Sequence, residues 1–550
     1  MSVNFIFLLL FAGLFSFLLP QKRLKFLWSV FLFAVIGYAL FSISMPYTGK
    51  ELVFLWKAIP NLPVPIVFNP WLSGSTGVYG VLLLTALAIY YNIISQNEEF
   101  SNSLNGLIIF NSIFIIMAFC SANYIQLLAA VGMADVIVYG IINNLEAKRY
   151  YIYGNFVADF MLMSILALVL AQQGKVDIAN LEEYTKTWHH RDFIAIILLI
   201  AVFIKSGFAF FHTAYQKMAS LSFTRLNFIL FASTPLMGIT ILLLLNNILN
   251  ISKFSYPIFV IGVFTSLCWG FIGCLTSDDI KRKAIYNAMM FWGLAFAGVV
   301  MFPDFSMRKF LVFLISAFLF NVSLQIVCKS AEQKRISQIY NFYKFPQIIF
   351  VINMAASCLY ALSWLVFSYG NLYLCIYGLV LILLTGATIA SEIYLGIDKT
   401  RQNQRLITLM LMALPIFATF AISIIKNDNI VHFYVYAAAI LSAFVLLFLT
   451  WPLRFLQKTY QINFFQKSDI INATYTTLIA IPVQTIGRGL RVAVDFIFLE
   501  RTLIASIKNS IRCCIFIFKV IHSSGIWGKI FFIILGAAVF TAVYYNGVVR

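Results

Sequence analysis

Apolar residues in this chain run on in blocks of roughly 18 to 25, divided by short polar connections. An amphipathic soluble helix would carry a polar face at every third or fourth position, and a half-buried strand at every second; neither period dominates these blocks. Each block is long enough to cross about 30 Å of hydrocarbon as an α-helix. The pattern predicts an all-α, polytopic membrane protein of about sixteen transmembrane helices. The expected spans are 3–20, 25–45, 72–96, 105–121, 123–143, 150–173, 192–215, 224–247, 255–275, 282–303, 308–329, 346–368, 371–395, 405–426, 430–453 and 525–546. The first block, FIFLLLFAGLFSFLLP, lacks a basic residue before it and a small-residue cleavage site after it, so it reads as a retained span and not a signal peptide.

Composition agrees with the pattern. With 62% hydrophobic and 11% charged residues among 550, the chain cannot cover a soluble core with a wettable surface. The net charge of +18 would suit a nucleic-acid partner if it were clustered, but it is scattered over short loops and alternates with the spans. Basic connections follow the odd-numbered spans, with Lys22 and Arg23, Lys148 and Arg149, Lys217 and Arg225, Lys281 to Lys283, and Lys329 and Lys334. The intervening connections are poor in Lys and Arg or mixed, as at 174–192 with Glu182, Glu183 and Asp192. The alternation predicts an external N-terminus, basic loops in the cytoplasm or matrix, and no nucleic-acid partner. The eight cysteines are dispersed without metal-ligand spacing. Phosphate-binding loops, dinucleotide glycine fingerprints and zinc-protease motifs are lacking, so no cofactor is expected.

Candidate chemistry resides in the few ionisable residues inside the blocks. In AVFIKSGFAFFHTAYQKM, 201–218, an oily segment carries Lys205 and then His212, two helical turns on. Such a lysine has two readings: it snorkels from a helix end, or it is a functional charge held at membrane depth.

The surrounding residues carry a resemblance. IKSGFAFFHTAYQKM resembles the broken seventh helix of the antiporter-like membrane subunits of respiratory complex I, with Lys205, Ser206, His212, Thr213 and Met218 in register. SDDIKRKAIYNAMMFWGL, 277–294, is similar to a second motif of that family through Asp279, Ile280, Lys281, Arg282, Tyr286, Met289 and Gly293. YGNFVADFMLM, 153–163, looks like a segment of the subunit L type, keeping Asn155 and Asp159 and replacing an Arg and a Gly by Phe156 and Ala158. Beyond the fifteenth expected span, Arg488, Arg491, Asp495, Thr502, Lys508, Arg512 and Lys519 recur at near-helical spacing, which predicts an amphipathic interfacial helix. The resemblance implies that this helix is a lateral strap ending in an anchor span. It divides the chain into N-terminal helices at 1–122, an antiporter-like core with helices broken at mid-membrane at 123–455, and the strap and anchor at 456–550.

What the family implies for function is a chain of ionisable side chains at mid-membrane, with a lysine paired to a glutamate. Its proton pathway would run through Lys205, His212, Asp135, Lys281 and Asp159. The chain departs from the family where charge is needed. Ala134 stands at the glutamate position with Asp135 beside it, Leu230 replaces a histidine, Ser316 another, and Phe320 a second lysine. The segment at 222–231 also lacks the family's helix-breaking prolines. Three readings stay open: a proton-translocating subunit related to NADH-quinone oxidoreductase subunit L, with no redox site of its own; a subunit of a multi-subunit cation/proton antiporter; and a non-conducting structural paralogue. All three imply other membrane subunits and the lipid bilayer as partners. The first two add protons or monovalent cations and a bacterial or mitochondrial inner membrane.

Overall fold

The computed structural model describes residues 4–18, 25–44, 52–56, 64–68, 75–94, 102–173, 178, 191–208, 211–277, 279–301, 307–331, 346–368, 375–383 and 385–386. The last three expected spans and the interfacial helix lie outside these residues. The described residues belong to one compact unit, which is helical apart from a short hairpin. In order the elements are α1 (Asn4–Leu18), α2 (Lys25–Ser44), β1 (Leu52–Trp56), β2 (Val64–Phe68), α3 (Ser75–Ile94), α4 (Asn102–Phe119), α5 (Tyr124–Ile141) and α6 (Leu145–Gln173). Then come α7 (Arg191–Ser206), α8 (Thr213–Lys217), α9 (Phe223–Ala232), α10 (Thr234–Ile251), α11 (Ser255–Thr276), α12 (Ile280–Met301), α13 (Met307–Ala331) and α14 (Pro346–Phe367). The strands pair antiparallel with Leu52 opposite Phe68, within what the apolar pattern reads as an inter-span connection.

Among the described residues, seven helical spans are long and apolar enough to cross a membrane: Thr76–Ile94, Tyr124–Ile141, Leu145–Ala171, Phe223–Leu245, Ser255–Cys274, Ile280–Val300 and Met307–Cys328. Their packing inverts that of a soluble bundle. On α6 the polar Tyr151 and Asn155 are buried, whereas Phe156, Phe160 and Met163 are exposed. Lipid is as apolar as a protein core, so exposed phenylalanine costs little there and polar groups gain by facing the bundle interior. Phe156, in place of the family's arginine, therefore stands where a charge would meet lipid.

Two expected spans are each split, and both splits shape the site. The segment expected at 192–215 stops as α7 at Ser206, because Gly207 adopts φ +66°, a left-handed conformation that ends a helix. The segment expected unbroken at 224–247 divides at Ser233, whose φ of −134° and ψ of −116° lie outside the helical region. Pro235, second residue of α10, has no N–H to continue the ladder of α9, and proline is tolerated in the first turn of a new helix. α10 packs along α7, and Gly238 permits the approach: a Cβ there would lie 2.1 Å from Ser206 Oγ.

Candidate functional site

Lys205 is the last but one residue of α7, two residues before the left-handed Gly207, and its side chain is fully buried. Its ammonium meets two carboxylates: Asp135 of α5, in direct contact, and Asp159 of α6, whose Oδ1 is 2.7 Å from Nζ. Asp135 is nearly buried and Asp159 partly exposed. Three formal charges thus converge from three helices, and the one ammonium offsets the desolvation and mutual repulsion of the two carboxylates.

Neutral partners fix the cluster. Tyr151 donates its hydroxyl to Asp135 Oδ1 at 2.7 Å, and the Tyr151 hydroxyl oxygen lies 2.8 Å from Thr234 Oγ1. Thr234 opens α10 just after the break at Ser233, so one tyrosine joins the carboxylate to the second interrupted span. Tyr215 of α8 donates to the Lys205 carbonyl at 3.0 Å, a carbonyl at the interrupted end of α7. Asn155 Nδ2 donates to the Tyr151 carbonyl at 3.1 Å.

Of the residues read from the sequence, Lys205, Asp135 and Asp159 come together. His212 and Lys281 take separate places. His212 is buried and accepts a hydrogen bond at 3.1 Å from Trp269 Nε1 on its own Nε2, which fixes that nitrogen as an acceptor. Its ring centroid is 5.7 Å from Trp269 and 6.4 Å from Tyr286. Lys281 Nζ donates to the Leu221 carbonyl, at the turn before α9, and lies 5.8 Å over the Phe223 ring. Gln216 bonds the Tyr286 hydroxyl at 2.8 Å and ties α8 to the helix that bears Lys281.

The carboxylate one position beyond Ala134 is the one that faces Lys205. Ala134 is buried, and its carbonyl accepts from Asn111 Nδ2 at 3.0 Å. Sequence reading missed Tyr151, Thr234, Tyr215 and Trp269. A signal existed for Tyr151: with Asn155 and Asp159 it forms a polar stripe at intervals of four residues on an otherwise apolar helix. Thr234, Tyr215 and Trp269 owe their places to tertiary approach across the two breaks.

Interrupted spans around a buried lysine and two aspartates define a multi-pass membrane protein with a charged site inside its helix bundle. Residues 125–374, from α5 past the end of α14, match the transmembrane family described as NADH:quinone oxidoreductase/Mrp antiporter. No curated protein sequence matches the chain. Among solved structures, a chain of the Mrp complex from Dietzia sp. is similar over 99% of this chain and 63% of its own length, with a TM-score of 0.62 and 14% identity. The present chain thus spans less than two thirds of that relative. A chain of respiratory complex I from Thermus thermophilus with bound aureothin is similar over 76% of this chain and 96% of its own length, with a TM-score of 0.56 and 14% identity. At these identities the likeness is one of fold.

Proposed function

We propose that this protein is a divergent antiporter-like membrane subunit, related to the subunit L type of NADH-quinone oxidoreductase, that contributes a proton-exchanging site to a larger membrane complex of a bacterial or mitochondrial inner membrane. The observation that carries the proposal is Lys205, fully buried at a helix break and held between Asp135 and Asp159. An ammonium shared by two carboxylates moves a proton whenever the field around it changes, because the balance of charge decides which member holds the proton. Tyr151 and Thr234 extend that cluster toward the interrupted span that follows, and His212 and Lys281 are the further members of the proposed path. The N-terminal helices, the core and the C-terminal strap keep the boundaries given above, and the strap reaches the neighbouring subunits.

The second reading, a structural subunit that does not conduct, is favoured by one feature. Where the family has a second lysine, Phe320 is buried against Tyr360 at 5.7 Å between ring centroids, and Leu230 and Ser316 stand where it has histidines. A multi-subunit cation/proton antiporter gains no specific support beyond the shared fold.

Purification from native membranes in mild detergent, with proton flux measured on the reconstituted complex, separates these readings. Co-purification of further antiporter-type subunits, with flux lost in Lys205→Ala, is the expected result. Recovery of the chain alone contradicts the complex, and unchanged flux in Lys205→Ala leaves the structural reading.

A further inference from the structure

Away from the Lys205 cluster, α9, α12 and α13 repeat one pattern. Each carries a polar residue, a second polar residue one turn on, and a phenylalanine one turn beyond that. On α9 the series is Thr224, Asn227 and Phe231; on α12 it is Lys283, Asn287 and Phe291; on α13, which runs the other way, it is Gln325, Asn321 and Phe318. All nine residues are buried. Spacings of three or four residues keep each series on one helix face.

Cross-helix contacts set the levels. Lys281 Nζ reaches the Leu221 carbonyl, and Trp292 Nε1 donates to the Leu230 carbonyl at 2.8 Å, so α12 and α9 run alongside with Thr224 near Lys283 and Asn227 near Asn287. Asn287 Nδ2 donates to Asn321 Oδ1 at 2.8 Å, and Asn321 Nδ2 donates to the Ala284 carbonyl at 2.9 Å, which puts Gln325 at the level of Lys283. The rings close the series: Phe231 is 5.5 Å from Phe291 and 6.1 Å from Phe318 between centroids. Phe313 continues the aromatic layer at 4.7 Å from Phe291.

Both polar layers contain atoms without a hydrogen-bond partner among the described residues. They are Thr224 Oγ1, both amide atoms of Asn227, Asn287 Oδ1 and both amide atoms of Gln325. Unpartnered amides cluster at a buried site when water completes them, and a buried water typically takes two to four such partners. The three rings themselves offer no such atoms, and beside them the Tyr360 hydroxyl, on a ring 6.4 Å from Phe291, is unpartnered among the described residues. The polar layers also lie at the helix ends that carry Lys281, Arg282 and Lys329, on the side of the basic loops.

We infer that the basic-loop ends of α9, α12 and α13 enclose a water-filled polar recess at the level of Lys283, sealed toward the membrane interior by Phe231, Phe291 and Phe318 and open to one face of the membrane only. The recess is blind: water reaches the layer of Asn227, Asn287 and Asn321 and stops at the rings. It uses residues outside the proposed path at Lys205 and stands whether or not that site conducts.

Cysteine accessibility tests it, in a complex whose chain lacks its native cysteines. Asn227→Cys and Gln325→Cys should react with a positively charged, membrane-impermeant methanethiosulfonate applied to the basic-loop face and not to the opposite face, while Phe231→Cys should react from neither. No reaction at 227 and 325 from either face overturns the recess, and reaction at 231 overturns the seal. The two polar positions lie on different helices, so a folding defect in one variant leaves the other informative. Radiolytic labelling of the unmodified protein in heavy-oxygen water supplies a measurement free of mutation. Incorporation in the peptide bearing Lys283 is expected, and its absence contradicts hydration.

Discussion

Tyr151 donates its hydroxyl to Asp135 at 2.7 Å, and through that bond a residue of α6 decides how the α5 carboxylate meets Lys205. The same hydroxyl oxygen lies within hydrogen-bond distance of Thr234, so the tyrosine links the charged cluster to the break at Ser233. Removing it in Tyr151→Phe keeps the ring and deletes the bond to a charged acceptor, for a cost of about 1.5–3 kcal/mol. The expected outcome is a lowered thermal midpoint of the purified protein and slower proton exchange. Unchanged values for both would mean that the hydroxyl does not position Asp135.

Charge balance makes the next prediction. Lys205→Met leaves two carboxylates facing each other in the bundle, and breaking a buried ion pair from one side costs on the order of 3–5 kcal/mol. Neutralising the carboxylates as well, in Lys205→Met with Asp135→Asn and Asp159→Asn, should restore most of that loss, since an uncompensated charge is what destabilises. A thermal melt of both variants checks this. A triple variant less stable than Lys205→Met would contradict the shared cluster.

Gly207 is a third test, because its φ of +66° suits glycine and a Cβ there would lie 2.4 Å from the Tyr215 ring. Gly207→Ala adds a left-handed penalty of roughly 1–2 kcal/mol before any displacement of Tyr215. The variant should melt lower and disturb the bond from Tyr215 to the Lys205 carbonyl. Wild-type stability would show that the break tolerates a side chain.

Much of this was legible in the sequence, and the remainder has physical causes. Apolar block length finds helices because lipid removes the need for an amphipathic period, and a lysine inside an oily segment marks Lys205 for the same reason. Asp135 was harder to place. Register with the family puts Ala134 at the paired position, and one residue turns a helix by about 100°, so only the packing of α5 against its neighbours decides which position meets the lysine. The break at Ser233 had a cue in Pro235, which an apolar pattern alone overlooks. The hairpin at Leu52–Phe68 lies in a connection whose strand-forming residues, LVFLW and VPIVF, were read as loop. Trp269 beside His212 follows from tertiary approach and leaves no local signature.

Topology gives a fourth prediction. Lys148, beside the capped start of α6, and Lys281, at the start of α12, should face one side of the membrane, and Glu182, in the connection that follows α6, the other. Single-cysteine labelling of sealed vesicles checks the arrangement. Labelling of positions 148 and 182 from the same face would contradict it.

The central claim is that the Lys205 ammonium itself gives up and regains a proton. Lys205→Arg isolates that property, because a guanidinium keeps the charge and its carboxylate bonds but does not deprotonate in a protein. The measurement is proton flux through vesicles carrying the assembled complex, with the stability of wild type and variant recorded in parallel. The account predicts a folded, assembled Lys205→Arg complex with flux abolished. Equal flux in the two complexes would contradict it.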